Sequence, residues 1–218
     1  MTAVAGGLVD ALAIALLVVA LFSVTMRGLV AGVWLLGVQA TLLTVVAATI
    51  ALWSGEAHMW AAAFLTLTVR AIAIPIVLLR VLRAVALRRE MRPLVSTRNA
   101  LILAVALTLV AFFAASRLKL SDAFPAREAL PVSLALIFIG LLLMTTRRKA
   151  VSQLIGLITI ENGIFLAGLI ATLGMPLFVE IGVFFDLLVA VGVTAVLTLR
   201  INEHFDTMNT DELRMLRG

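Results

Sequence analysis

Cysteine is absent from the sequence, and with it go disulfides, thiolate metal sites, iron–sulfur clusters and thiol chemistry. Histidine is nearly absent: His58 and His204 fall in an expected link and in the C-terminal tail, which argues against a metal site built on histidine. Charged residues make up 13% of the chain, against about 25% in a soluble domain. No P-loop, Rossmann glycine pattern or catalytic-triad spacing occurs. The chain is therefore expected to hold no catalytic residue, no metal and no cofactor of its own. The first apolar run is too long for a cleaved signal peptide and lacks its basic start, so it reads as a first spanning helix.

What the sequence has in quantity is apolar length. It is 63% hydrophobic, with a mean hydropathy of +1.20. That composition predicts an all-α, polytopic integral membrane protein of a cell (inner) membrane. Seven apolar segments approach the roughly 20 residues that a bilayer demands. They cover about 4–25, 28–53, 60–80, 99–115, 130–146, 150–173 and 177–199. Trp53 and Trp60 flank the Ser-Gly-Glu-Ala-His link between the second and third, as suits a membrane–water interface. The last two are joined through the short stretch Leu173-Gly174-Met175-Pro176, which makes them antiparallel neighbours.

Orientation follows from arginine. Residues 80–98 hold Arg80, Arg83, Arg88, Arg89, Arg92 and Arg98 against Glu90. Arg27, Arg147-Arg148-Lys149 and Arg200 fall on the same side of a seven-helix path. The positive-inside rule places that side in the cytoplasm, giving an outer N-terminus and a cytoplasmic C-terminus. Topology explains this basic excess better than nucleic-acid binding, which is not expected. The tail, 201–218, offers a short capped helix from about Asp211 to Arg217 and reads either as a solvated end or as a docking segment.

The informative residues are the polar ones inside apolar runs. Glu161 and Asn162 lie side by side in the middle of the sixth segment. A carboxylate at the bilayer centre costs about 2.5–3.5 kcal/mol on insertion scales, and a carboxamide there needs a partner. Arg70 sits about ten residues into the third segment, ahead of Pro75, which frees a backbone carbonyl nearby. Arg70 stays protonated, so it serves as an ion-pair partner or a fixed charge rather than a proton carrier. Asp186 lies about ten residues into the seventh segment, at a height comparable to Glu161, and such a carboxylate pair in low dielectric can hold and pass on a proton. Glu180 is nearer the outer end and can reach interfacial water, whereas Asp10 and Gln39 carry weaker signals. Gly156, Gly163 and Gly168 line the sixth segment, and Gly182 and Gly192 the seventh, permitting close approach of a partner helix.

The last three segments resemble the three-helix K subunit of bacterial complex I and the C subunit of Mrp-type cation/proton antiporters. The resemblance rests on Gly156 through Glu161-Asn162 and on Asp186-Leu-Leu-Val-Ala-Val-Gly192 followed by Arg200, with Asp186 where that family has a glutamate. The full length, with four added N-terminal helices and the Glu161-Asn162-Gly163-Ile-Phe string, resembles the hydrogenase-4 component E family. This divides the chain into an N-terminal membrane region 1–128, a K-subunit-like region 129–200 and a cytoplasmic tail. The resemblance implies a membrane subunit of a group 4 hydrogenase or formate hydrogenlyase-type complex. It would lie between antiporter-like and anchor membrane subunits, with the nickel–iron centre and iron–sulfur clusters in partner chains. Glu161 would be the main proton (or sodium) relay residue, Asp186 the second acid, and Arg70, Asn162 and Glu180 supporting elements. Two other readings stand beside it: a self-sufficient small transporter or channel, and a structural membrane anchor whose polar residues only fix helix register. Seven helices without a recognisable inverted repeat count against the transporter.

Overall fold

The computed structural model describes residues 2–84, 94–117 and 126–172, with the isolated helical positions 189, 191–193 and 196. Its elements are α1 (Thr2–Thr25), α2 (Leu29–Ser54), α3 (Ala57–Leu65), a π-helical segment (Thr66–Ala73), α4 (Ile74–Ala84), α5 (Thr97–Ser116), α6 (Ala129–Thr146) and α7 (Ala150–Thr172). No strand occurs among the described residues. Because α3, the π segment and α4 are continuous, the described residues form six helices long and apolar enough to cross a bilayer. Their bounds fall within a few residues of the apolar runs. The seventh run, with Asp186 and Glu180, lies outside the described residues apart from those isolated positions, as does the tail.

Local chemistry sets the ends. The second helix stops at Gly55, whose left-handed backbone (φ 73°) returns its N–H to Ala51 O at 3.0 Å. Ser96 caps α5 by accepting from the Asn99 N–H at 3.3 Å. Inside the third span, Pro75 has no N–H to give to Ala71 O, so the α pattern cannot run unbroken through this turn. The Ile74 N–H instead bonds Val69 O, five residues back. The proline was expected to free a backbone carbonyl near Arg70, and the wider π turn just ahead of it is how the helix accommodates that break.

Contacts at the helix ends order the bundle. The Arg147 guanidinium donates through Nη2 to Val24 O and Met26 O, both at 2.9 Å, and so takes up carbonyls that α1 leaves open at its C-terminus. Arg27 reaches Thr97 Oγ1 at 3.2 and 3.3 Å, and the Leu94 N–H donates to Thr146 O at 3.0 Å. These arginine-bearing links therefore share one end of the bundle. At the other end Asp10 of α1 accepts from the backbone N–H of Glu128 at 2.8 Å and of Arg127 at 3.2 Å. A carboxylate there suits the positive end of α6, so Asp10 ties two helices together rather than standing as an isolated intramembrane acid.

The closest packing joins α6 and α7. A Cβ on Gly156 would lie 2.7 Å from Gly140 O, one on Gly140 2.6 Å from Gly156 O, and one on Gly163 2.7 Å from Ser133 O. Backbones meet directly where lipid supplies no hydrophobic drive for association. The partner that the glycines of the sixth run called for is thus α6 of the same chain. Of the six spans α7 is the most buried and α5 the least.

Two apolar clusters fill the interior. One contains Leu43, Val46 and Ile50 of α2, Met59 and Ala62 of α3, and Phe165, Leu166 and Leu169 of α7, with residues of α1, α5 and α6. The other contains Leu29, Val33 and Leu36 of α2, Ile74, Leu78 and Leu82 of α4, and Val151, Leu154 and Ile158 of α7. On each of three spans the change from one cluster to the other occurs at a polar residue: Gln39 on α2, Thr66 and Arg70 on the π segment, Glu161 and Asn162 on α7.

Candidate functional site

Those residues form a polar layer at mid-membrane. Gln39 lies ten residues into α2, about 15 Å along the axis at the α-helical rise. Arg70 stands near the middle of the span Ala57–Arg83, and Glu161 and Asn162 near the middle of α7. Arg70, Gln39, Thr66 and Asn162 are all buried, and Arg70 leads the fully buried side chains in volume.

Arg70 is held from three directions. Its Nη1 donates to Asn162 Oδ1 at 2.9 Å. Its Nη2 lies 3.9 Å from Glu161 Oε2. Its Cζ stands 5.1 Å from the centre of the Phe165 ring, a cation–π contact one turn along α7 from Glu161. An arginine at this depth is tolerable because charge, hydrogen bond and ring face all come from a single helix. Asn162 then uses its other end: Nδ2 donates to Gln39 Oε1 at 3.0 Å. The layer therefore joins α2, the π segment and α7.

The wide turn helps place the arginine. Thr66 and Arg70 are four residues apart, which in a π-helix is close to one turn, and both point inward. Gly37 of α2 faces this turn, and a Cβ on it would make ordinary contact with Pro75 Cγ at 3.7 Å and Ala71 O at 3.9 Å.

Within the layer, Glu161 is the group able to exchange a proton. Arginine keeps its proton, and the carboxamides do not titrate. The Glu161 side chain retains 15% of its surface, whereas that of Arg70 retains 0%. The Glu161 side chain is thus not wholly enclosed, while its Oε2 is buried on the side of Arg70. Among the described residues, no three histidine, aspartate or glutamate side chains group to hold a metal ion.

Of the site residues expected from sequence, Glu161, Asn162 and Arg70 come together. Asp186 and Glu180 lie outside the described residues. Gln39 was undervalued: it is as central as Asn162. The signal was available, because a short link joins the second and third spans, so residues equidistant from it face each other. Gln39 lies 15 residues before Ser54 and Arg70 13 after Ala57.

Comparison with known proteins agrees with this architecture. Residues 129–218 match the family model of the NADH-ubiquinone/plastoquinone oxidoreductase chain 4L. That match contains Glu161 and Asn162 and excludes Gln39 and Arg70. Over 211 residues the chain is 35% identical to the uncharacterized protein Rv0085 of Mycobacterium tuberculosis, covering 96% of each chain. It is 31% identical over 117 residues to Hydrogenase-4 component E of Escherichia coli K12, covering 54% of each, and the same figures hold for the protein of that name in Shigella flexneri. The match thus spans about half the length of the hydrogenase-4 relatives. No solved structure matches. The chain is therefore a multi-pass membrane protein that belongs to the same family as Rv0085, carries a chain 4L-type domain in its C-terminal part, and is a homologue of hydrogenase-4 component E over about half its length.

Proposed function

We propose that the chain is a non-catalytic membrane subunit of a respiratory complex of the hydrogenase-4 or formate hydrogenlyase type, and that Glu161 carries protons in it. The similarity to chain 4L and to hydrogenase-4 component E supports the first half. The observation that carries the second is the Arg70–Glu161–Asn162–Gln39 layer, buried at mid-height across three helices. A charged pair at this depth is expensive, and a bundle already packed through glycines needs no such pair to associate.

The roles divide by chemistry. Glu161 takes up and releases the proton. Arg70 supplies a fixed positive charge that favours the carboxylate and sets how firmly the proton is held. Asn162 and Gln39 fix the guanidinium without competing for the proton. Asp186 of the seventh run is the proposed next acid, with Glu180 towards the outer surface. Antiporter-like and anchor subunits are the proposed partners, and the nickel–iron centre and iron–sulfur clusters that supply redox energy are proposed to lie in partner chains. The arginine-rich end is proposed to face the cytoplasm.

The test is purification of the tagged protein in mild detergent, followed by Glu161→Gln. The expected result is recovery with antiporter-like subunits and a metal-cluster module. The variant, nearly isosteric but uncharged, should still assemble and should lose ion translocation coupled to redox turnover. Recovery of the chain alone would sink the subunit reading. Vesicles of Glu161→Gln that pump as well as the parent would sink the relay.

A further inference from the structure

Arginine offers five N–H donors and no acceptor. Asn162 must therefore present its carbonyl oxygen to Arg70, as it does at 2.9 Å. Its amide nitrogen then faces Gln39, which must answer with its own carbonyl oxygen, and does so at 3.0 Å. Flipping either carboxamide alone brings two donors or two acceptors together. Flipping both turns an N–H group toward the guanidinium. The direction of the whole chain is thus dictated by the charge at Arg70, and both carbonyl dipoles point toward it.

This ordering has a cost. Gln39 Nε2 ends the chain fully buried, with no hydrogen-bond partner among the described residues. An unmet buried donor is a penalty that leucine at position 39 would avoid. Gln39 also stands where α2 passes from one apolar cluster to the other, between Leu36 and Leu43. Packing alone gives no reason for an amide there.

We infer that Gln39 is a positioning residue: it anchors the amide end of Asn162 and, through it, holds the Arg70 guanidinium against Glu161. It lies outside the matched chain 4L-type region, so the N-terminal part of the chain controls a carboxylate that the C-terminal part carries. Without Gln39 the Asn162 carboxamide still turns its oxygen toward Arg70 but loses the anchor on its far side, so the acceptor that faces the guanidinium is no longer held in place. The importance of this positioning rests on the proposed role of the layer, but the geometry can be measured without any ion movement.

The measurement is nitrogen-15 magnetic resonance of the arginine side chains in the purified complex in lipid, with the Arg70 signals assigned by their loss in Arg70→Met. A guanidinium held by oriented acceptors rotates slowly about its Cζ–N bonds and shows separate Nη signals. The expected result is resolved Arg70 Nη signals in the parent, their merging in Gln39→Met, and their return in Gln39→Glu, which keeps an acceptor oxygen for Asn162. A residue that merely fills space would lower the melting temperature in Gln39→Met and leave the Arg70 signals resolved. That outcome would overturn the inference, as would merged signals in the parent. Because Gln39→Glu keeps the size of the side chain, a misfolded methionine variant still leaves a decision: signals in Gln39→Glu that merge despite native assembly would also overturn it.

Discussion

Arg70 and Thr66 sit one turn apart on the same inward face, and their polar atoms are placed very differently. Arg70 meets Asn162, Glu161 and Phe165. Thr66 Oγ1 is buried with no hydrogen-bond partner among the described residues. Substitution should therefore act in opposite directions. Arg70→Met removes the cation and leaves the Glu161 carboxylate in a low-dielectric interior, a loss of about 3–5 kcal/mol for breaking a buried pair. Uptake of a proton by Glu161 makes that figure an upper bound. Thr66→Val keeps the shape and removes an unmet hydroxyl, so stability should stay level or rise by about 1 kcal/mol. Thermal unfolding of the two variants in one detergent checks both signs. Destabilisation by Thr66→Val would mean that its hydroxyl has a partner in the working protein.

At the scale of elements, the six described spans and their ends were legible because each depends on residues near in sequence. A bilayer-length apolar run, a serine ahead of α5 and a glycine after α2 are local signals. The special status of Glu161, Asn162 and Arg70 was legible for a related reason, since a costly polar group inside an apolar run stands out on its own. Their partnership was not, because it depends on which face of each helix turns inward. The π turn was hidden as well. Proline at 75 announces that a hydrogen bond is missing, not how the preceding turn makes up for it. Gln39 ranked low because a single uncharged amide in α2 is a weaker anomaly than a charge.

The α6–α7 contact gives this scale its own test. In Gly156→Val the new Cβ would stand 2.7 Å from Gly140 O and from Met144 Cγ, and 2.9 Å from the Met144 N. Two of these are backbone atoms, which cannot swing aside, so the helices must separate. Overpacking of this kind costs about 1–3 kcal/mol or more. It also displaces Glu161, five residues further along α7, from Arg70. Gly7→Ala is the control: a Cβ there meets nothing within 4 Å, and its effect should stay within about 0.5 kcal/mol. Melting temperatures of the two variants should separate clearly, and equal values would mean that α6 and α7 are not in backbone contact.

For the whole molecule, the unequal spread of charge makes a definite statement about orientation. Arg27, Thr97 and Arg147 are tied by hydrogen bonds into one end of the bundle, and Asp10 and the start of α6 into the other. The link that contains Glu56 belongs to the second end, because α2 leaves the first at Leu29 and reaches it at Ser54. The arginine-rich end should face the cytoplasm. The absence of cysteine makes this easy to check, since a single introduced thiol is the sole target for a thiol reagent. Glu56 and Asn99 are both exposed, at opposite ends. A membrane-impermeant maleimide applied to cells whose inner membrane is accessible but intact should label Glu56→Cys and spare Asn99→Cys. Detergent should open both to the reagent. The reverse pattern would invert the protein and move the arginine-rich end away from the cytoplasm. Labelling of both in intact membranes would break the up-and-down path itself. The expected pattern would give the polar layer two distinct sides, one toward each compartment, as a group that passes protons between them requires.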